Sequence, residues 1–285
     1  MTGVNIEFPN LGISLHNVQS GFDVFGFRIA FYGVIIAAGM IIGYLVAEWQ
    51  ARRTGQNPDL YLDFALIAIP ISVICARIYY VIFSWDLYQD NLLEVFNTRH
   101  GGLAIYGGVI GAFATAYIYA KVKKVSSGLL ADTGCLGLIT GQIIGRWGNF
   151  FNSEAFGGYA GNSLFAMKLP WSVAKSNMSL SDALVMEKYV LNDSILVHPT
   201  FLYESVWNVL LLILLVFYSK HKKFDGEVML LYLAGYGLGR FWIESMRTDQ
   251  LLLWNTSIPV SMALSALLAI VSFGIIVFKR RKVVK

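Results

Sequence analysis

Seven stretches of the chain are apolar, and each is long enough to cross a bilayer as a helix: residues 30–47, 64–83, 103–120, 129–151, 202–218, 228–242 and 258–278. Backbone N–H and C=O groups in lipid must be satisfied within a helix or around a closed barrel. These stretches are too long and too uniformly apolar for barrel strands. They predict an all-α polytopic membrane protein with seven transmembrane helices. Only 14% of residues are charged and mean hydropathy is +0.59, which excludes an ordinary soluble domain. Glycines and polar residues dilute the third, fourth and sixth stretches.

Lysine and arginine gather in alternate loops. One set is Arg52 and Arg53, then Lys121, Lys123 and Lys124, then Lys220, Lys222 and Lys223, then the tail 279–285. The other loops hold only Arg99, Lys168, Lys175, Lys188 and Arg247, with Arg28 at a boundary. The positive-inside rule makes the first set cytoplasmic, the N-terminus extracytoplasmic and the C-terminus cytoplasmic. The net charge of +4 therefore reports topology, and no nucleic-acid partner is expected. Cys75 and Cys135 both fall in spans without ligand-like spacing, so neither a disulfide framework nor a metal site is expected. Residues 1–27 lack a basic start, an apolar core and a cleavage site, so no removed signal peptide is expected. The long connection 152–197 mixes Gly, Ser and Asn with Phe165, Met167, Leu169 and Trp171. It predicts a small folded extracytoplasmic arm. With no repeat and no low-complexity tract, residues 1–285 read as a single membrane domain.

Two arginines interrupt apolar stretches, Arg146 in the fourth and Arg240 in the sixth. Charge at membrane depth is costly, and a guanidinium cannot shed its proton. Each needs an anion, and the ready anion in a membrane is a lipid phosphate. The orientation puts nearly every polar group at one depth. Arg146, Arg240, Glu244 and Arg77 fall toward the outer ends of their spans. Tyr32, the segment 101–108 and the run from His198 to Glu204 join them, while Asp132 lies nearer the inner side, where it pairs or caps a helix. Tyr236, Arg240, Glu244 and Arg247 recur at i, i+4, i+8 and i+11, one stripe at about 100° per residue. Gln142, Arg146 and Asn149 share another face. Arg240 and Glu244 can satisfy each other as i,i+4 neighbours, which leaves Arg146 and Arg247 needing anions. Gly107 and Gly111 form a small-xxx-small pair of the kind that packs helices. Gly101 and Gly102 stand at the membrane border, where bare backbone can approach an oxyanion. His198 precedes a proline, as at a helix start.

The runs GRWGNFFNSEAFG (145–157), GGLAIYGGVIG (101–111), HPTFLYE (198–204) and YGLGRFWIESMR (236–247) carry a family resemblance. So do Phe31-Tyr32-Gly33 and Ala76-Arg77-Ile78-Tyr79-Tyr80. Together they resemble, from the first helix to the sixth, the signatures of bacterial prolipoprotein diacylglyceryl transferases. The resemblance implies a multi-pass enzyme of the bacterial cytoplasmic membrane with no cofactor. Such an enzyme takes phosphatidylglycerol from the surrounding lipids. It moves the diacylglyceryl group to the lipobox cysteine thiol of a preprolipoprotein signal peptide, as the first step of lipoprotein maturation. A thioether forms and glycerol phosphate leaves.

In that reaction a phosphodiester becomes a monoester and gains charge, so arginines on the phosphate hold the transition state more tightly than the ground state. The expected roles are Arg146 and Arg240 on the phosphate, with Arg247 in support. Asn149 and Tyr236 orient its oxygens or the glycerol head. Glu154, Glu204 and Glu244 hold the arginine forks, and Tyr32, Gly101 and Gly102 belong to the lipid-binding set. Many members carry a histidine where this chain has Tyr106, and His100, six residues earlier, does not match that motif position. A histidine base is therefore not expected at that site, and Tyr106 takes a positioning role with proton transfer left open. The alternative reading is a transporter or binding protein for a phosphate-bearing anion or lipid. It expects a midplane site between repeated halves, whereas these polar groups lie toward one face.

Overall fold

The structure, a computed structural model, describes residues 3–98, 101–253, 256 and 258–283. Arg99, His100 and the last two tail residues lie outside the described set. Four short strands come first: β1 (Val4–Phe8), β2 (Ile13–Val18), β3 (Gly21–Val24) and β4 (Phe27–Ala30). Helices α1 (Phe31–Arg53), α2 (Asp59–Phe83), α3 (Ile105–Lys123) and α4 (Ser127–Asn152) follow. An insert holds β5 (Met167–Pro170), α5 (Trp171–Ser176), α6 (Leu180–Met186) and β6 (Ser194–Val197). The chain returns to long helices with α7 (Thr200–Tyr218), α8 (Glu227–Glu244) and α9 (Val260–Val283).

Among the described residues six helices are long and apolar enough to cross a membrane: α1, α2, α3, α4, α7 and α9. The sequence predicts seven. The remaining one, α8, has 18 residues that include Glu227, Arg240 and Glu244, and it does not meet that standard. Instead α4, α7 and α9 pack on it and Glu227 and Glu244 are buried, while Leu238, Phe241 and Trp242 stay exposed.

Successive long helices run in opposite directions, as their end contacts require. At one end the hydroxyl of Tyr119 donates to Leu60 O at 2.9 Å, Arg53 donates to Val216 O at 3.0 Å, and Arg280 Nε donates to Glu227 at 2.5 Å. The basic loops gather at this end. At the other end Phe31 packs on Phe151, and Ser261 Oγ donates to Glu244 Oε1.

Glycines decide which helices pair. A Cβ on Gly43 would stand 2.5 Å from Gly137 O, and one on Gly137 would stand 2.6 Å from Gly43 O. The α1 and α4 backbones therefore touch. Likewise α3 lays Gly107 and Gly111 against Cys75 and Ala76 of α2. Such seams gain dispersion contacts over both backbones. The pair α1–α4 and the pair α2–α3 each draw together, and a cleft of about 620 Å³ remains between the pairs. A cluster of Ala47, Ala51, Tyr61, Tyr119, Ala120 and Leu130 closes it at the basic end.

The opposite end carries a four-stranded sheet in the order β2-β1-β5-β6, antiparallel in every pairing. Glu7 lies opposite Lys168, and Met167 opposite Val197. Strand alternation buries Ile6, Phe8, Met167, Leu169, Ile195 and Val197 against Phe150, Phe156 and Phe201. The insert is thus folded, but its sheet is shared with the N-terminus. All-α architecture describes the helical body and not this cap.

Replacing Gly43 by alanine tests the seam. The added methyl meets backbone and not a movable side chain, so the helices must part. Overpacking of this kind costs about 1–3 kcal/mol. Thermal unfolding in detergent is expected to show a lower midpoint for Gly43→Ala. Gly274→Ala, whose Cβ meets open space on α9, is expected to unfold like the parent chain.

Candidate active site

Glu204, in the second turn of α7, is 2% exposed and is the meeting point of two arginines. From α4, Arg146 Nη2 approaches Glu204 Oε1 to 2.5 Å. From α8, Arg240 Nη1 donates to Glu204 Oε2 at 3.1 Å. The other arm of Arg240 lies 2.6 Å from Glu244 Oε2, one helical turn on. Arg247, just beyond α8, forks onto Asp249 at 2.8 and 2.6 Å and stands 3.9 Å from Glu244. Three guanidiniums thus share three carboxylates across α4, α7, α8 and the segment just after α8. Removing charges from water costs several kcal/mol per ion, so such a cluster persists only because each member is paired.

Several expectations change at this geometry. The anions of Arg146 and Arg247 are internal, Glu204 and Asp249 respectively. Among the described residues no arginine pairs with Glu154. Its Oε1 accepts from Asn149 Nδ2 at 3.0 Å and Asn152 Nδ2 at 3.2 Å, so it orients Asn149. Arg77 is buried and donates to five backbone carbonyls, those of Glu94, Val95, Asn97, Gly101 and Gly102. Gly101 and Gly102, with φ of +91° and +80°, turn their carbonyls toward Arg77, and a side chain at Gly102 would strike its guanidinium. Their glycine character serves this clasp. Tyr236 stacks on Tyr232, whose hydroxyl donates to Gln142 at 3.1 Å. Tyr106, in the first turn of α3, is 39% exposed and makes no hydrogen bond among the described residues. Asp132 accepts from Lys222, Gly226 N and Met229 N at 2.9 Å each, which caps the start of α8. His198 Nδ1 lies 3.1 Å from Tyr203 Oη, and burial pushes its imidazole below the ordinary value. Burial thus favours its neutral form.

The cleft joins this cluster to the apolar body. Gln142, Arg146 and Asn149, the predicted face of α4, line it together with Tyr32. Below them its wall is almost wholly apolar. Arg240 lies behind Glu204 and is not part of that wall. The ring of Tyr32 rests on Gly148, where a Cβ would come within 2.6 Å of it, so a glycine at this position seats the tyrosine beside Asn149.

Arg146 meets Glu204 as a charge contact without an aligned hydrogen bond, which leaves its N–H donors directed elsewhere. Among the described residues the buried polar side-chain atoms without a hydrogen bond are Ser153 Oγ, Glu204 Oε1, Glu244 Oε2 and both of Asn208. All belong to this cluster or to the adjoining turns of α4 and α7. The two carboxylate oxygens face guanidinium nitrogens at 2.5 and 2.6 Å, so charge satisfies them, and Ser153 Oγ and the Asn208 amide remain as buried groups beside the cluster.

Sequence reading did not find Asp249, Ser261 or the cleft. Asp249 stands two residues from Arg247, a spacing that could have suggested it. Ser261 and the cleft depend on which helices are neighbours, and a single span carries no signal for that.

The family described as prolipoprotein diacylglyceryl transferase matches residues 19–278. The chain is 45% identical over 232 residues to the phosphatidylglycerol–prolipoprotein diacylglyceryl transferase of Clostridioides difficile (strain 630), covering 81% of this chain and 84% of the relative. It is 44% identical over 254 residues to the protein of that name from Listeria monocytogenes serovar 1/2a (strain ATCC BAA-679 / EGD-e), covering 89% and 87%. It is 41% identical over 255 residues to the one from Lysinibacillus sphaericus (strain C3-41), covering 90% and 89%.

Breaking a buried pair from one side costs about 3–5 kcal/mol because the remaining charge is left alone. Glu204→Gln leaves Arg146 without a carboxylate and Arg240 with Glu244 alone. A markedly lower unfolding midpoint is expected, with partial recovery on adding anionic lipid and none on adding zwitterionic lipid. A variant as stable as the parent would deny Glu204 its central place. Gly148→Ala is expected to displace the Tyr32 ring and leave the ion pairs intact, which tyrosine fluorescence and the unfolding midpoint can separate.

Proposed function

The chain belongs to the prolipoprotein diacylglyceryl transferase family, and from that premise we propose that Arg146 and Arg240 hold the phosphate of a phosphatidylglycerol whose acyl chain lies in the cleft. It is a membrane transferase of the kind its relatives are named for, moving the diacylglyceryl group of phosphatidylglycerol to a prolipoprotein. One observation carries the site assignment: a single cleft joins a deep apolar groove to Arg146 and Asn149 at its polar end. A phospholipid has that division of character, apolar chains below a charged head.

Two guanidiniums that share one carboxylate are spaced to share another oxyanion. Their five-donor forks leave N–H groups free for phosphate oxygens. In the transfer, the bond between the diacylglyceryl carbon and its phosphate oxygen breaks as a sulfur–carbon bond forms. The acceptor is the lipobox cysteine of the prolipoprotein signal peptide. The electrons of the broken bond go to the phosphate oxygen, and glycerol phosphate leaves with one more negative charge than the diester carried. The thiol proton leaves as the thioether forms. A thiol has a pKa of about 8.5, and nearby guanidiniums favour its thiolate. The departing phosphate monoester, with a second pKa of about 6, is a competent temporary acceptor for that proton. Tyr106, exposed beside the mouth of the cleft, is assigned to positioning the acceptor. Asn149, oriented by Glu154, and Tyr32, seated on Gly148, are assigned to the glycerol head. Tyr236 supports that wall through Tyr232 and Gln142. Arg247 and Glu244 hold Arg240 in register. Gly101 and Gly102 act through the clasp on Arg77.

The same reading assigns α8 as a seventh crossing. Its 18 residues extend about 27 Å at 1.5 Å per residue, close to the roughly 30 Å of hydrocarbon. Its charges face α4, α7 and α9 and not lipid. The loops with Arg52, Lys121, Lys220 and Lys279 are cytoplasmic, and the N-terminal strands with the insert 152–197 form the extracytoplasmic arm. Residues 1–285 act as one domain, because the shared sheet ties the arm to the N-terminus.

Purified protein with phosphatidylglycerol and a synthetic lipobox peptide is expected to yield a peptide heavier by one diacylglyceryl group, with glycerol phosphate released. Arg146→Lys and Arg240→Lys each keep the charge and lose the fork. Each is expected to lower kcat about 10²- to 10³-fold, the usual cost of removing a donor from a preorganised oxyanion site. Parent-level turnover in either variant would remove the phosphate role.

A further inference from the structure

The depth of the cleft sets a limit on the acyl chain. Along α4 its wall runs from Arg146 down to Leu130, sixteen residues, which is about 24 Å at 1.5 Å per residue. Tyr61 and Leu130, each 3% exposed, close the bottom with Ala47. The groove is kept open above that floor by the small side chains of Gly134, Ala65 and Ala116 on three different helices. Gly134 is distinctive. A Cβ built there meets nothing within 4 Å, whereas those at Gly137 and Gly43 collide with backbone. Gly137 and Gly43 are glycines because helices touch. Gly134 touches nothing and lines empty space.

We propose that this cleft is a chain-length gauge, with Tyr61 and Leu130 as its floor and Gly134 as the position that keeps its lower half passable. The proposal rests on the lipid reading above and adds to it a selectivity for one acyl chain. Glycerol and ester bonds take roughly 6 Å of the path below the phosphate, at about 1.3 Å advance per bond of about 1.5 Å. The remaining 18 Å or so admits roughly fourteen chain carbons. Gly134 lies twelve residues below Arg146, about 18 Å, which is the level of roughly the ninth carbon. A phenylalanine there raises the floor to that level without disturbing a helix seam.

The test compares dioctanoyl with dipalmitoyl phosphatidylglycerol as donors to one lipobox peptide, using the full-length protein in detergent. In Gly134→Phe the ratio of kcat/KM for the long donor over the short one is expected to fall at least tenfold. Ala116→Phe, on the facing helix, is expected to move the ratio in the same direction. Gly274→Phe, on α9 away from the cleft and also surrounded by open space, is expected to keep the parent ratio. An unchanged ratio in Gly134→Phe overturns the gauge. Equal loss with both donors overturns it too, since a raised floor must spare a chain that ends above it. Transfer from neither donor by the parent protein would instead sink the lipid-transfer reading itself.

Discussion

One carboxylate holds the polar half of this molecule together. Glu204 lies between the guanidiniums of Arg146 and Arg240, which come from helices on either side of α7. A fixed positive charge at membrane depth is among the costliest things a helix can carry, and two on separate helices would drive those helices apart. Sharing one buried anion turns that repulsion into a tie between α4, α7 and α8. Through Glu244 the tie reaches Ser261 on α9. In the proposed function the arginines are thereby held before the phosphate arrives. Donors already in place need no reorganisation as charge develops on a leaving group, and that is where electrostatic catalysis draws its strength.

The apolar half follows a different rule. Buried charge does not bring α1 to α4 or α2 to α3; among the described residues the one ion pair between them, Lys123–Asp63 at 2.9 Å, is exposed. Glycine seams do, by allowing backbones to meet. Because each seam binds a pair, the space between pairs is left unfilled, and the cleft is a by-product of where the small residues lie. The signature around Arg146 belongs to both systems. Arg146 contributes to the ion cluster, Gly148 receives the Tyr32 ring, and Asn149 faces the cleft. One helical turn thus joins the ion cluster to the apolar cleft.

Much of this could be read from the residues in order. Apolar length predicted the helices, and the depth of Arg146, Arg240 and Glu244 within them predicted a site toward one end. The face shared by Gln142, Arg146 and Asn149 followed from helical spacing and does line the cleft. What escaped depends on contacts between distant segments. Spacing suggested that Arg240 pairs with Glu244, which it does, and Glu204 was expected on an arginine fork, but nothing in the order of residues said that Arg146 and Arg240 would share it. Strands β1 and β5 are short and separated by about 160 residues, so their period-two pattern is too brief to stand out against neighbouring polar residues. Gly101 and Gly102 looked like a cradle for an oxyanion. They are a cradle for a cation, because Arg77 reaches them from α2 and a guanidinium can be satisfied by carbonyl dipoles alone.

The enclosure of α8 bears on how the chain is made. Synthesis delivers α8 before α9, and its charged residues are poor candidates for entry into lipid unaided, at about 2.5–3.5 kcal/mol for each Arg or Asp at a helix centre. Glu204 is waiting for Arg240 when α8 emerges, but the partners of Glu227 and Glu244 on α9, Arg280 and Ser261, do not yet exist. Under the proposed seventh crossing, α8 therefore enters together with the strongly apolar α9, as a hairpin. A ribosome that stops short of Val260 then leaves α8 stranded at the membrane surface.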